Sequence, residues 1–323
     1  MVVVFGSINL DLIFNLPRIP SPGETVLGPS TRIEPGGKGA NQAVAAARDG
    51  ADVIMVGSVG RDALADGALA LLRAANVNLD RVQAVPAGTG CAAIAVNPAG
   101  ENAIAVGSGA NLATRASQLD DALLGPSTTL VAQMEVPAAA TAEAITRVRA
   151  AGGRVILNLA PAAALPEAIL RAVDVLVVNA TESAWLAGHL ACGPTAASLR
   201  DHLRDHLRDR PGDRPGDGLH DRPGDGLHDR PGGIAVIVTR GADGADIASP
   251  EATWHQPAAP VTVADTTAAG DCFVGVLAYR LDRGESLRAA VHRASRAATL
   301  CCTRPGSQGS IPTAAETDAL NPD

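Results

Sequence analysis

Aromatic side chains are nearly missing from this 323-residue chain: three Phe, two Trp and one Tyr, 2% of the total. That excludes a surface of stacking rings for single-stranded nucleic acid and leaves the core to Ala, Val, Leu and Ile. A cationic surplus is also lacking. Twenty-six Lys and Arg face 34 Asp and Glu, a formal net charge of −8, and no basic stripe is available to follow a phosphate backbone. No stretch of about 18 uncharged apolar residues is present to span a bilayer. The opening MVVVFGSINLDL has no basic region ahead of its short apolar run, and Asp11 comes too early for a secretory signal. Neither nucleic acid nor membrane is therefore expected as a partner, and a cytoplasmic location is expected. The five cysteines (Cys91, Cys192, Cys272, Cys301, Cys302) show no CxxC or Cys/His ligand spacing. Their odd number fits a reducing compartment, where they serve as small core hydrophobes.

What is present has a regular rhythm. VVVFG (2–6), VIMVG (53–57), TLVAQ (129–133), RVILN (154–158), VLVVN (175–179) and IAVIVT (234–239) read as buried strands. Ala-rich amphipathic stretches near 39–49, 62–75, 138–151 and 181–190 read as the helices between them. This alternation predicts an α/β fold, a doubly wound and mostly parallel sheet with helices on both faces, whose ligands sit beyond the carboxyl ends of the strands. Two stretches break the rhythm, about 12–34 and 82–106, the second a hairpin joined by Asn97-Pro98-Ala99-Gly100. Together they predict a small β-sheet lid on one domain spanning 1–323. From 200 to 232 the chain repeats DRPGDGLH and its fragments. One Leu per unit cannot stack a solenoid, and Pro-Gly pairs break helix and strand, so a disordered surface insertion is expected. Its His202, His206, His220 and His228 lack a rigid frame for selective metal binding.

Four motifs carry chemistry. GGKGANQAVAA (36–46) is a Gly-rich turn entering a helix, suited to close approach of a polar ligand. It is no Walker A loop, because Gly39 follows Lys38 where Ser or Thr should hold magnesium. VADTTAAGDCFVGVLAYRL (263–281) brings Ala268, Ala269 and Gly270 to a helix start, where successive N–H groups can form an anion cradle, with Asp271 in the first turn. That carboxylate reads either as a dipole-complementing residue or as the base that takes a proton from an attacking hydroxyl. Asn179 and Glu182 read as an N-cap with its capping-box acid. Thr239, Arg240, Gly241 and Gly244 close a strand either as a phosphate-receiving turn or as a hairpin.

In this order the motifs resemble the ribokinase-like (PfkB) family of carbohydrate kinases. GSINLD (6–11), PSPGET (20–25), GGKGANQAVAA, VGSVGRD (56–62), GENAIAVGSGAN (100–111), QMEVP (133–137), LNLAPA (157–162), NATE (179–182), TRGADG (239–244), DTTAAGD (265–271) and CTRPGSQGSIP (302–312) carry the likeness. It covers the chain apart from the repeat. GSINLD with GGKGANQA is closer to the ribose-specific branch than to the fructose or adenosine branches.

The resemblance implies transfer of the ATP γ-phosphoryl to the 5-hydroxyl of D-ribose. Asp271 would be the general base and the Ala268, Ala269, Gly270 and Asp271 backbone the anion hole. Asn9, Asp11, Gly37, Lys38, Asn41 and Glu135 would hold the sugar, with Lys38 also neutralising the transferred phosphoryl. Asn179, Glu182, Thr239, Gly241, Gly244 and Gly270 would serve ATP and its Mg2+. K+ would activate from a loop of Asp265, Thr267, Cys301, Arg304, Gly306 and Ser310, partly through backbone carbonyls. A homodimer through the lid is implied as well. Two departures stand out: the repeat falls between NATE and IVTRG, and the adenine-pocket stretch near 292–299 is the polar, Arg-rich HRASRAAT. The competing readings are a kinase of the same family for 2-deoxyribose, another pentose or a nucleoside, and a non-catalytic sugar-binding relative. An NAD-dependent Rossmann enzyme is excluded, because no G-x-G-x-x-G follows the first strand.

Overall fold

The computed structural model describes residues 1–99, 101–205 and 233–320. Its strands are β1 (Val2–Phe5), β2 (Asn9–Asn15), β3 (Ser30–Gly36), β4 (Val53–Gly60), β5 (Asn78–Val85), β6 (Gly90–Val96), β7 (Asn102–Gly107), β8 (Thr129–Ala132), β9 (Arg154–Asn158), β10 (Val175–Asn179), β11 (Ala235–Thr239), β12 (Ala245–Ala248) and β13 (Thr253–Gln256). Its α-helices are α1 (Lys38–Arg48), α2 (Leu64–Ala74), α3 (Ala138–Ala150), α4 (Glu167–Arg171), α5 (Ala180–Leu190), α6 (Ala196–Asp205), α7 (Ala269–Asp282), α8 (Leu287–Cys301) and α9 (Ala314–Ala319).

Among the described residues the main sheet has nine strands in the order β13-β12-β11-β10-β9-β8-β1-β4-β5, parallel throughout except for β12 and β13. The expected α/β class and mostly parallel sheet are what the chain adopts. Helices cover both faces because alternate residues of β1 point to opposite sides. Val2 and Val4 belong to the core cluster that includes α1, α7 and α8, whereas Val3 and Phe5 belong to the cluster on the other face, which includes α3, α5 and α6. Ala fills many of the contacts. With so little volume at each position, helices lie close to each other and to the sheet.

The crossover direction reverses between β1 and β8, since the chain runs outward through β4 and β5 and then returns to build β8 to β11 on the other side. A crevice forms at such a reversal, beyond the carboxyl ends of the strands. A second sheet, in the order β3-β2-β6-β7, rises from that same end. It presents Ile33, Ile104 and Val106 to solvent.

Three boundaries differ from the sequence reading. The small sheet begins at Asn9 and not near residue 12, because the turn after β1 carries the chain directly into β2. Residues 82–85 belong to β5 at the edge of the main sheet, where Val82 meets Gly57 in register. Residues 200–205 of the supposed insertion are the last two turns of α6, held by the buried Leu199 and Leu203. The rest of the repeat, 206–232, lies outside the described residues, as does Gly100 of the expected hairpin turn. The hairpin itself is present: β6 and β7 pair antiparallel, and Asn97 N donates to Glu101 O at 3.0 Å. No helix among the described residues is long and apolar enough to cross a membrane.

Candidate active site

Helix α7 is preceded by Ala268 as its N-cap, whose φ of 60° turns the chain sharply into the helix. In its first turn Ala269 N donates to Thr266 O at 3.3 Å, and the Gly270 and Asp271 N–H groups have no acceptor within the helix. Gly270 opens onto free space, with nothing within 4 Å of where a Cβ would stand. Asp271 lies in this turn and is buried. Its Oδ2 accepts from Asn41 Nδ2 at 2.9 Å and its Oδ1 from Gln42 Nε2 at 3.0 Å. Both donors come from α1, and they reach because Gly275, one turn further along α7, lets α1 lie against it. A Cβ at Gly275 would stand 2.3 Å from Gln42 O.

The remaining groups arrive from strand ends on either side of the reversal. Glu135, just after β8, accepts from Ser7 Oγ at 2.5 Å and from Lys38 N at 3.1 Å. This ties the end of β8 to the turn after β1 and to the start of α1. Asn9 and Asp11, expected to hold the sugar, stand in the first half of β2, where Asn9 Oδ1 accepts from Asn111 Nδ2 at 2.7 Å. Asp11 is buried among carboxylates. Burial first, then Glu135, Glu34 and Asp271, push its carboxyl up to about 7. Two of the same carboxylates act on Lys38, whose ammonium is held above its ordinary value chiefly by Asp271 and further by Glu135 and Glu182. Five of the expected residues, Asp11, Lys38, Glu135, Asp271 and Glu182, thus share one electrostatic neighbourhood, and Asn41 joins it through its bond to Asp271.

Asn179 and Glu182 make the reciprocal cap foreseen from their spacing: Asn179 Oδ1 accepts from Glu182 N and Glu182 Oε2 accepts from Asn179 N, each at 2.8 Å. Burial raises the Glu182 carboxyl while Lys38 works against that shift. Thr239 is the register partner of Asn179 across β10 and β11, so both stand at the same sheet end. Gly241 and Gly244 lie in the turn that reverses β11 into the antiparallel β12, which is the hairpin reading of that segment.

The loop set expected to hold a monovalent cation is brought together in part. Asp265 accepts from Thr267 N at 2.9 Å, Thr267 Oγ1 at 2.7 Å and Gly306 N at 3.0 Å. Burial raises its carboxyl, but these hydrogen bonds outweigh burial and hold it below the ordinary value. Cys301 Sγ is 3.0 Å from Ser310 Oγ and 3.8 Å from Thr267 O. The Arg304 side chain turns away to Glu316 at 2.7 Å. The Arg-rich stretch at 292–299 is part of α8, and its arginines are occupied: Arg293 by Asp49 at 2.9 Å and by Asp318, Arg296 by the carbonyls of Thr317 and Leu320. They fasten the C-terminal segment, which explains why this stretch is more polar than an adenine pocket.

Several site residues were not singled out from sequence. Gln42, Gln133, Asn158, Ser7, Glu34 and Asn111 all lie within or beside the quoted motifs, yet only their tertiary partners mark them. Asn41 Oδ1 is buried without a hydrogen-bond partner and belongs to the same cluster.

A carboxylate with both oxygens oriented, in the first turn of a helix and electrostatically coupled to a half-buried ammonium at a switch point, is the arrangement of an α/β phosphoryl-transfer site. The comparisons narrow it. The pfkB family of carbohydrate kinases matches residues 1–207 and 227–314. A bifunctional ribokinase/ribose-5-phosphate isomerase A of Fructilactobacillus sanfranciscensis is 34% identical over 318 residues, 97% of this chain, which spans only 54% of that longer protein. A ribokinase of Staphylococcus aureus is 32% identical over 96% of both chains, and a deoxyribokinase of Salmonella typhi is 33% identical over 96% and 95%. Among solved structures, ribokinase from Thermotoga maritima superimposes with a TM-score of 0.83 at 30% identity over 98% of each chain. The Arabidopsis thaliana ribokinase complexed with ribose and ATP gives 0.82 at 28% identity over 99% and 97%. The chain belongs to the pfkB family of carbohydrate kinases. It is a ribokinase-like, ATP-dependent sugar kinase.

Proposed function

We propose that the chain phosphorylates D-ribose at O5, with ATP as donor. The observation that carries this reading is the Asp271 carboxylate, buried and aimed by two amides, at the start of α7 and in the same electrostatic neighbourhood as Asp11 and Glu135. Short polar side chains around the crevice suit a polyhydroxyl ligand, since each can take part in paired hydrogen bonds with adjacent hydroxyls.

In this reading Asp271 takes the proton from the 5-hydroxyl as the oxygen attacks the γ-phosphorus. The backbone N–H groups of Ala268 to Asp271 receive the charge that grows on the transferred phosphoryl, and Lys38 neutralises part of it. Asn179, Glu182 and Thr239 lie where the nucleotide phosphates would extend. Magnesium would come with ATP and offset the charge of its phosphates. The donors present fit that arrangement: Glu182 spends one oxygen on its cap and keeps the other, which could meet the ion through its water shell. The small sheet acts as the lid. Its strand β3 is latched to the loop after α8, where Glu34 Oε2 accepts from Ser307 N at 3.0 Å and Ser307 Oγ donates to Pro35 O at 2.7 Å. That loop, through Gly306, Ser310 and the Arg304 carbonyl, together with Asp265 and Thr267 before α7 and Cys301 at the end of α8, would take potassium.

The test is ADP formation from ATP with ribose, 2-deoxyribose and adenosine in parallel. Ribose should give the highest kcat/KM, and Asp271→Asn should lower kcat about 100- to 10,000-fold while ribose still binds. Preference for deoxyribose would move the chain to the specificity of its Salmonella relative. Undiminished turnover in Asp271→Asn would remove the mechanism.

A further inference from the structure

Four buried amide and carboxylate side chains from different elements form one directional chain that ends on the base. Asn158, at the end of β9, donates from Nδ2 to Val177 O at 3.2 Å. A backbone carbonyl can only accept, so the Asn158 amide has one allowed orientation, with Oδ1 pointing the other way. That oxygen accepts from Gln42 Nε2 at 3.0 Å. The same Nε2 gives its second hydrogen to Asp271 Oδ1 at 3.0 Å. With both hydrogens spent on this side, Gln42 Oε1 faces the opposite way and accepts from Gln133 Nε2 at 2.6 Å.

The far end of the chain is set by an absence. Gln133 Oε1 is left buried with no partner, and it occupies the space where residue 6 would carry a Cβ, 1.9 Å from that position. Only glycine at position 6 leaves room for it. The turn after β1 therefore gives Gln133 a place for its unpaired oxygen while its nitrogen holds Gln42. An orphaned buried oxygen is costly, and here it is tolerated at the one position from which the whole chain receives a single orientation.

We infer that Gln42, oriented by Gln133 and Asn158, is a positioning residue for the reaction: its amide fixes the rotation of the Asp271 carboxylate, so that the oxygen not held by Gln42 faces the sugar hydroxyl. Asn41, assigned to the sugar, reaches that other oxygen at 2.9 Å, whereas Gln42, wholly buried, holds the first at 3.0 Å. A flipped Gln42 amide would set its oxygen against those of Asp271 and Asn158, which the anchored carbonyl of Val177 forbids. The role rests on Asp271 being the base. It adds that an acceptor-only carboxylate needs a donor of known direction behind it to keep its outer oxygen in line for attack.

The test uses the full-length enzyme and measures kcat, both KM values and thermal unfolding for Gln42→Met, Gln133→Met and the double variant. Methionine keeps the length and removes the donors. Gln42→Met should lose about 10- to 100-fold in kcat, the scale of a misplaced reacting group, with the KM for ribose and for ATP within about twofold of wild type. Gln133→Met should lose less, and the double variant should be no slower than Gln42→Met, because Gln133 acts through Gln42 alone. A wild-type kcat in Gln42→Met, or losses that multiply in the double variant, would overturn the inference while leaving Asp271 as base if Asp271→Asn is inactive. If Gln42→Met does not fold, Gln133→Met decides: a lowered kcat at constant KM supports the chain, and an unchanged kcat overturns it. An active Asp271→Asn would instead strike the underlying reading.

Discussion

Replacing Asp11 with Asn tests the electrostatics of the crevice without relying on catalysis. The Asp11 carboxyl stands at about 7 in the folded protein, against 3.8 ordinarily, because it is buried and faces Glu135, Glu34 and Asp271. Between those two values the folded protein keeps a proton that the unfolded chain has already released. Stability attributable to this group is therefore highest below pH 4 and falls as pH rises toward 7. The full difference, about three pH units, corresponds to about 4 kcal/mol at pH 8. Asparagine fills nearly the same space and never ionises, so Asp11→Asn should be more stable than the wild type, by an amount that depends on pH. In urea unfolding at pH 5 and pH 8 the gap between the two proteins should widen by about 2 to 3 kcal/mol. The variant should also bind ribose more weakly, because the site loses the charged acceptor that this instability maintains. A gap that stays constant between the two pH values would refute the argument, since removal of a contact alone has no pH dependence.

Lys38→Ala should lower kcat about 100-fold, a larger effect than on ribose affinity, because the ammonium held charged by Asp271 acts on the phosphoryl group; a full rate in a coupled assay would remove that role. Turnover should be faster in potassium than in sodium at equal ionic strength, through the loop that joins Asp265, Thr267, Gly306 and Ser310. Equal initial rates would remove the cation site.

Strand and helix periodicity was readable because it depends on local properties. Branched apolar runs form buried strands and Ala-rich amphipathic stretches form helices wherever a parallel sheet is available. The Asn179 and Glu182 cap was likewise legible, since its partners are three residues apart and meet through helix geometry alone. The motif residues around Lys38 and Asp271 could be named from their types and order. What sequence could not reveal was direction and pairing across long separations. Asn9 and Asp11 follow the first strand closely in sequence, yet Asp11 pairs with Glu34 in the small sheet. Residues 82–85 share the apolar alternation of the small sheet, but β4 offers them an open edge. Of the five cysteines expected in the core, Cys272 and Cys301 are buried where α7 and α8 pack, whereas Cys91, Cys192 and Cys302 are only half-buried.

By itself the sequence determined the α/β class, the order of its elements and the chemical groups available for phosphoryl transfer, because these depend on residue type and local spacing. Tertiary structure alone decided that Gln42, 229 positions from Asp271, orients the carboxylate, and that Arg293 and Arg296 anchor the C-terminal segment. The physical reason is that hydrogen-bond direction, burial and charge coupling depend on distances between elements, and those distances exist only once α1, α7 and the strand ends have packed together.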